Sequence, residues 1–426
     1  MNFQNPIKIK QEKSVLYRKV FMLILLFAFF IRLLIGMGYF NSFDTYWYRN
    51  WAFASQNGIF DLYNNQEINL DYPPIYVLFL SVTGFFYKFV GNHEAHNYIQ
   101  MLFMKFWPIF FDLLVGVALY CYFKRYNNKA ALFASTIWLI SPATIFNSAF
   151  WGQTDGLMCL LLLLSFWLLE TKPYLAAIMF AISGLTKFQC LYFTPVFLYL
   201  LYKNYNLKTF FKGIAFAALT VFITFLPFML ATNRPLLFFE VYLNGGNSYP
   251  YCTLNAFNLY GIFALNWVEE TTSILFGFNF MHLNIIMTAL VFIFVLVVLI
   301  KAKIKCPYLA SFLIIQGLFM LTTRMHERYQ FVALIFMLIA LTVYKKKEFF
   351  NLFVLLSIII TINQAVPMFN WQQPDSFLDA NNYYIIMIVM SVINFIVFVY
   401  SVYICVKFML KGENEICPSQ KENENC

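Results

Sequence analysis

Six short polar segments interrupt an otherwise apolar chain, and they hold most of the residues able to do chemistry. The first, Asn41-Ser-Phe-Asp44-Thr-Tyr-Trp47-Tyr48-Arg49-Asn-Trp51, sets Asp44 immediately after an apolar run. Helical spacing puts Asp44, Trp47, Tyr48 and Trp51 on one side and turns Arg49 and Asn50 away, the pattern of a helix lying in a membrane interface with its aromatics in the headgroup layer. Asp44 could cap that helix or serve as a carboxylate base toward a substrate hydroxyl. The second segment, Leu70-Asp71-Tyr72-Pro73-Pro74, is held extended by its prolines and fixes Asp71 and Tyr72 at the start of the next run. In the third, Trp151-Gly-Gln153-Thr-Asp155-Gly156, Trp151 could stack on a sugar face and Gln153 could bond its hydroxyls. Asp155 equally suits a helix N-cap.

The cations come later in the chain. The run Tyr174–Tyr202 is too long for one crossing and is interrupted at Ser183-Gly-Leu-Thr-Lys187-Phe-Gln189. Two short helices there would leave Lys187 and Gln189 at a bend below the membrane surface, where broken helices line cavities. A lysine in that place suits an anionic group. The long segment Thr232–His282 carries Asn255-Ala-Phe-Asn258-Leu-Tyr260, whose paired asparagines among aromatics suit carbohydrate, or simply a turn-rich loop. Last is Arg324-Met-His326-Glu327-Arg328-Tyr329. No second histidine completes a zinc motif, so Arg324, His326 and Arg328 read as an anion site. A carboxylate on one wall and cations on another suit transfer from a phosphate-activated donor. The carboxylate takes the acceptor's proton, and the cations stabilise charge on the departing phosphate. Phosphate leaves without a second acid to protonate it, which separates the scheme from a glycosidase pair.

The elements that must position these residues are membrane helices. Hydrophobic residues make up 61% of the 426 positions, charged ones 12%, and the mean hydropathy is +0.67; a soluble domain carries about 25% charged residues. About twelve apolar runs, from Val20–Gly38 to Tyr383–Phe408, approach or exceed the ~20 residues a bilayer crossing needs. Their continuity excludes membrane strands. The expectation is an all-α polytopic membrane protein: one transmembrane domain over residues 20–408, with a cytoplasmic segment 1–19 before it and a disordered cytoplasmic tail 409–426 after it. No short signal peptide with a cleavage site precedes the first run, which is expected to stay as an anchor.

The net charge of +9 would suit nucleic acid, but Lys and Arg sit in small groups between apolar runs, as at Lys124–Lys129, Lys203–Lys212, Lys301–Lys305 and Lys345–Lys347. That is the positive-inside pattern; it puts both termini in the cytoplasm and leaves membrane lipid, not nucleic acid, as the partner. The same rule exposes a conflict. Phe40–Pro74 outside and Lys124–Lys129 inside require an odd number of crossings, yet two runs intervene, Ile75–Gly91 and Ile99–Phe123. Either Ile75–Gly91 is re-entrant, which restores the alternation in every later loop, or Lys124–Lys129 breaks the rule. The eight cysteines include no CxxC pair and the four histidines no ligand spacing, so neither a disulfide framework nor a metal or other cofactor is expected.

Taken in order, Asp44 before an aromatic helix, DYPP at Asp71–Pro74, WGQTD at Trp151–Asp155, NAFNLY at Asn255–Tyr260 and HERY at His326–Tyr329 resemble the GT-C superfamily of membrane glycosyltransferases. The nearest likeness is to bacterial mannosyltransferase-like proteins related to the second mannosyltransferase of GPI-anchor synthesis. The DYPP loop and the stretch after His93 also resemble the glucosyltransferases that extend lipid-linked oligosaccharides in the endoplasmic reticulum. Coverage runs from about residue 20 to 345. The resemblance implies a GT-C-like bundle, a polyprenyl-phosphate hexose donor, a glycan or lipid-linked acceptor, and inverting transfer on the non-cytoplasmic face of a bacterial inner or plasma membrane. It makes Asp44 the base and puts Asp71 at the acceptor or donor site, with Lys187, His326 and Arg328 near the phosphate. Arg32, inside the first run, is a further candidate for lipid-phosphate contact. No DxD follows that run, which argues against a metal-dependent oligosaccharyltransferase-like member. A transporter or flippase of a lipid-linked or anionic sugar would also need a charged cavity at membrane depth, and would show matched broken helices in two halves.

Overall fold

A computed structural model describes residues 6–38, 43–90, 98–371 and 378–412. Asn41, the His93–Asn97 stretch and the tail beyond residue 412 lie outside the described residues. The described chain is almost wholly helical. It opens with α1 (Pro6–Gly36), α2 (Phe43–Ala54), α3 (Pro74–Val90) and α4 (Tyr98–Lys124). Next come α5 (Asn128–Ile140) and the short α6 (Pro142–Ile145), which runs on as a π-helical turn, Phe146–Trp151. There follow α7 (Asp155–Leu168), α8 (Pro173–Gly184), α9 (Thr194–Asn204), α10 (Leu207–Thr232), α11 (Leu237–Asn247) and the single turn α12 (Leu259–Ile262). The chain closes with α13 (Phe280–Lys301), α14 (Pro307–Leu321), α15 (Ala333–Tyr344), α16 (Lys347–Trp371) and α17 (Ala380–Lys411). One small β-hairpin pairs Ser273 with Asn279 and Leu275 with Phe278.

Among the described residues six helices are long and apolar enough to cross a bilayer: α1, α4, α10, α13, α16 and α17. A seventh candidate is the pair formed by α5 and the Pro142–Trp151 segment, bent by 52°. The bend has a local cause, because Pro142 cannot donate to the helix before it and Ser141 turns to extended backbone. The helices α7, α8, α9, α14 and α15 are only 11–15 residues long. At ~1.5 Å per residue the longest reaches ~22 Å, short of a ~30 Å hydrocarbon layer. Their position explains how they persist: α7, α14 and α15 are buried almost throughout, and the long helices around them turn large apolar side chains outward.

The short helices are paired. α8 and α9 lie antiparallel, with Phe180 stacked on Phe197 at 4.3 Å between ring centres, so the run Tyr174–Tyr202 is a hairpin with Lys187 and Gln189 at its turn. The lysine-bearing ends gather at the other end of the bundle. There Arg125 after α4 meets Glu170 between α7 and α8 at 3.2 Å, Tyr122 bonds Tyr308 at 3.1 Å, and the Lys303 amide donates to Met409 at 2.9 Å.

α3 takes an unexpected path. Phe79 packs on Trp107 and Phe111, Trp107 Nε1 donates to Thr83 at 3.0 Å, and Tyr87 donates to the Gln100 carbonyl at 2.8 Å. It therefore runs antiparallel to the N-terminal half of α4, moving away from the basic end. α2 and the turn Ser55–Asn57 after it lean on α3 through Tyr48 against Tyr76 and Gln56 against the Gly84 carbonyl. A Cβ at Gly84 would fall 2.0 Å from the Ala52 oxygen, so this close approach needs glycine. The packing also buries Tyr48 and Trp51. Of the aromatics assigned to a headgroup layer, these two face the protein, and Trp51 Nε1 donates to the Ile68 carbonyl at 2.7 Å.

Candidate functional site

Several short helices stop at one place. α7 begins at Asp155, α8 ends at Gly184, α14 ends at Leu321, and the turn Tyr329–Val332 leads into α15. The volume left by their missing turns is a cavity of about 260 Å³, closed at its sides by α2, the Asp71–Pro73 corner and the first turns of α13. Backbone that is not helical is tolerated within such a bundle only where it is buried in protein or lines a cavity. Of the residues singled out in the sequence, Asp44, Asp71, Tyr72, Lys187, Gln189, Arg324, His326 and Arg328 line it. They come from four separate parts of the chain.

Charge in the cavity is arranged in pairs. Asp44 accepts from Arg328 Nη2 at 3.0 Å on one oxygen and from Trp151 Nε1 at 2.9 Å on the other. Arg328 Nη1 donates to Glu327 at 2.5 Å, while its Nε has no partner. Lys187 is paired with Asp155, whose second oxygen accepts from Asn147 Nδ2 at 3.0 Å. Arg324 is clamped by Glu270 and also donates to Asn247 at 3.0 Å, on a backbone with a left-handed φ of 61°. Each guanidinium or ammonium thus has a carboxylate. Lys187 still has donor capacity, since an ammonium carries three protons.

Titration sharpens the picture for the loop residues. Burial raises Asp71 to about 6, its own backbone pulling it back and the nearby Asp44 charge pushing it further up. Burial, Arg328 and Lys187 all push His326 well below the usual histidine range. It enters the cavity as a neutral imidazole rather than a third cation, held edge-on to Tyr249 at 4.9 Å. Burial also raises Glu327, although Arg328 beside it acts the other way.

The remaining candidates sit behind or away from the cavity. Trp151 holds Asp44 and lies under the Arg328 guanidinium at 5.8 Å. Gln153 accepts from Tyr48 at 3.3 Å, and Tyr48 in turn bonds Tyr72. Asp155 reaches the cavity through Lys187. Gly152, at φ 84°, ends the π-helical turn and lets the chain swing from Trp151 to Asp155. Asn255 and Asn258 do not line the cavity. Asn258 caps α12 through the amides of Tyr260 and Gly261. Asn255 is locked by Asn266, Asn363 and Tyr383, the last at 2.6 Å. Arg32 is fully buried against Asp112 at 2.7 Å and the Leu139 carbonyl at 2.9 Å, which makes it a structural cation.

Sequence reasoning passed over Glu327, Glu270 and Asn147. The first was visible as a carboxylate inside the cationic cluster, and the second as an acidic residue in the long polar segment Thr232–His282. Asn147 carried no signal, being one polar residue in an apolar run. Among the described residues no three His, Cys, Asp or Glu side chains assemble as a metal-binding group. Compared with known proteins, the chain matches no family model and no curated protein.

Proposed function

We propose that the chain is a GT-C-type inverting hexosyltransferase that moves mannose or glucose from a polyprenyl-phosphate donor to a lipid-linked or surface glycan acceptor. The reading rests on one observation above the rest: Asp44, held through both oxygens, shares a small cavity with Lys187 and Arg328. In the proposed reaction an acceptor hydroxyl oxygen attacks the anomeric carbon from the face opposite the phosphate. The new carbon–oxygen bond forms as the bond to phosphate breaks. Asp44 takes the hydroxyl proton, and the departing oxygen keeps the electron pair as polyprenyl phosphate leaves. In this scheme Lys187, with protons to spare, and the Arg328 guanidinium, both lining the cavity, would receive that charge. Asp71, Tyr72 and Gln189 line the same space and would orient sugar hydroxyls.

The topology belongs to the same proposal. Basic helix ends at one end of the bundle and the cavity at the other fit cytoplasmic termini with the site facing outward. α3, following only the outer half of α4, then adds no crossing of its own. About twelve membrane-entering segments remain, several of them short hairpins that reach the cavity from the cytoplasmic side.

The test uses the purified full-length chain, radiolabelled polyprenyl-phosphate mannose or glucose, and source membranes as acceptor. Asp44→Asn should lower transfer by about 10²–10⁴-fold with an unchanged thermal midpoint. Undiminished transfer would remove Asp44 as the base. Movement of label across vesicles without a new glycosidic bond would favour a transporter instead.

A further inference from the structure

α11 carries more apolar surface than its packing uses. On its protein side, Leu237 and Val241 pack with Leu185, Phe225 and Phe228, and Gly245 one turn further on faces the Asp71 carbonyl. A second stripe is polar, with Glu240 paired to Arg234 and Asn244 exposed. The third is apolar and uncovered: Leu236, Phe239 and Leu243, three and four residues apart, are each more than half exposed. A helix lying between protein and water needs only an apolar face and a polar one. This helix divides its circumference three ways, and the third medium must be apolar.

Its place in the chain says which medium that is. α10, just before it, is a crossing helix, mostly unburied along its apolar stretch and still bare at Leu230 in its last turn. The connection between the two helices is folded back rather than extended. Asn233 turns the chain with a left-handed φ of 53°, the Arg234 amide donates to the Met229 carbonyl at 3.1 Å, and the Leu237 amide donates to the Arg234 carbonyl at 3.2 Å. α11 therefore starts within a turn of the point where a membrane helix ends, which is the membrane surface. Lipid rather than a protein partner is the fitting occupant, because the stripe adjoins a helix whose outward face already needs lipid.

We infer that α11 lies in the plane of the membrane on the cavity side, with Leu236, Phe239 and Leu243 seated in the lipid just below the headgroups. Such helices rest with their apolar face at the boundary between headgroups and acyl chains. Gly245 and Gly246, at the end of the same helix, line the cavity, and the Gly246 carbonyl accepts from Arg324. An in-plane α11 thus sets this part of the cavity rim at headgroup depth. The placement does not depend on the reaction catalysed.

Depth-dependent quenching tests it on the full-length chain in phosphatidylcholine nanodiscs. In a background with Cys121, Cys417 and Cys426 replaced by serine, Phe239→Cys, Leu243→Cys and Asn244→Cys each carry an environment-sensitive fluorophore. Labels at 239 and 243 should emit blue-shifted light and lose several-fold more intensity to lipid brominated near the headgroups than to aqueous iodide. The label at 244 should show the reverse. Two lipid-side positions keep the test decisive should one variant fail to fold. Equal iodide quenching of all three labels would overturn the proposal by placing α11 in water. A larger loss to lipid brominated near the acyl-chain ends would overturn it by burying α11 in the hydrocarbon. Labels at 239 and 243 reached by neither quencher would overturn it in favour of a protein partner on that face.

Discussion

Arg328 divides its guanidinium between Asp44 and Glu327, and the buried pairs around the cavity decide what each acid can do. Asp71 is the clearest titrating group. Its carboxyl stays protonated in the fold up to about pH 6, whereas an unfolded chain ionises it near 4. Between those values the folded state binds more protons, so this residue's contribution to stability falls as pH rises from about 4 to about 6 and is flat above that. Asp71→Asn should therefore raise the thermal midpoint, relative to the wild type, more at pH 8 than at pH 4.5. An equal difference at both values would show that Asp71 ionises normally. Away from the cavity, Arg32 and Asp112 form a fully buried pair, with Trp138 and Ser148 also donating to the carboxylate. Arg32→Met strands that carboxylate and should cost about 3–5 kcal/mol, while adding Asp112→Leu should recover much of the loss. Thermal midpoints of the two variants decide it; a double variant no more stable than the single one would mean the pair is not self-contained.

Elements matter here mainly through where they stop. A helix ending early inside a bundle leaves unpaired backbone groups, and this chain answers them with side chains from neighbouring helices. The loop Asn255–Asn258 shows how: Asn363 bonds the Asn255 carbonyl and the Phe257 amide, and Asn394 bonds the Phe257 carbonyl. The side-chain oxygens of the loop's own asparagines are used within the protein as well, Asn255 accepting from Asn266 and Tyr383 and Asn258 capping α12. α2 depends on a different device. It reaches the cavity because Gly84 lets α3 approach Ala52. Gly84→Val should push the two helices apart, costing about 1–3 kcal/mol or more and displacing Asp44 from Arg328. A lowered thermal midpoint accompanied by lost transfer is the expected result; normal values for both would mean that α2 is held by other contacts.

At the scale of the molecule, the proposed function fixes which end faces which side. The path of α3 makes a sharp prediction, because Lys88 near its end and Lys129 after α4 should lie on opposite faces of the membrane. In a chain with Cys121, Cys417 and Cys426 replaced by serine, a cysteine at 88 should react with an impermeant maleimide on intact cells. A cysteine at 129 should react only after permeabilisation. Labelling of both from one side would restore α3 as a full crossing. The long helices α1, α10 and α13 form much of the outer surface and are mostly unburied along their apolar windows, which only a lipid surrounding satisfies.

Composition and run length by themselves determined the helical membrane class, because continuous apolar stretches leave the backbone no other way to satisfy its hydrogen bonds in lipid. Charge grouping determined which helix ends lie together. Among polar residues, those set where a run breaks, Asp44, Asp71, Lys187 and Arg328, were legible, since a charge placed there is expensive without a use. Partnership was not legible. That Asp155 answers Lys187, that Glu270 answers Arg324 and that Arg32 is consumed by Asp112 depend on contacts between residues 32 to 80 positions apart. Only packing fixes such distances, and it also decided that α8 and α9 fold back as a hairpin and that α3 stays beside half of α4. A run of apolar residues specifies that a helix is buried, but not the direction in which its neighbours run.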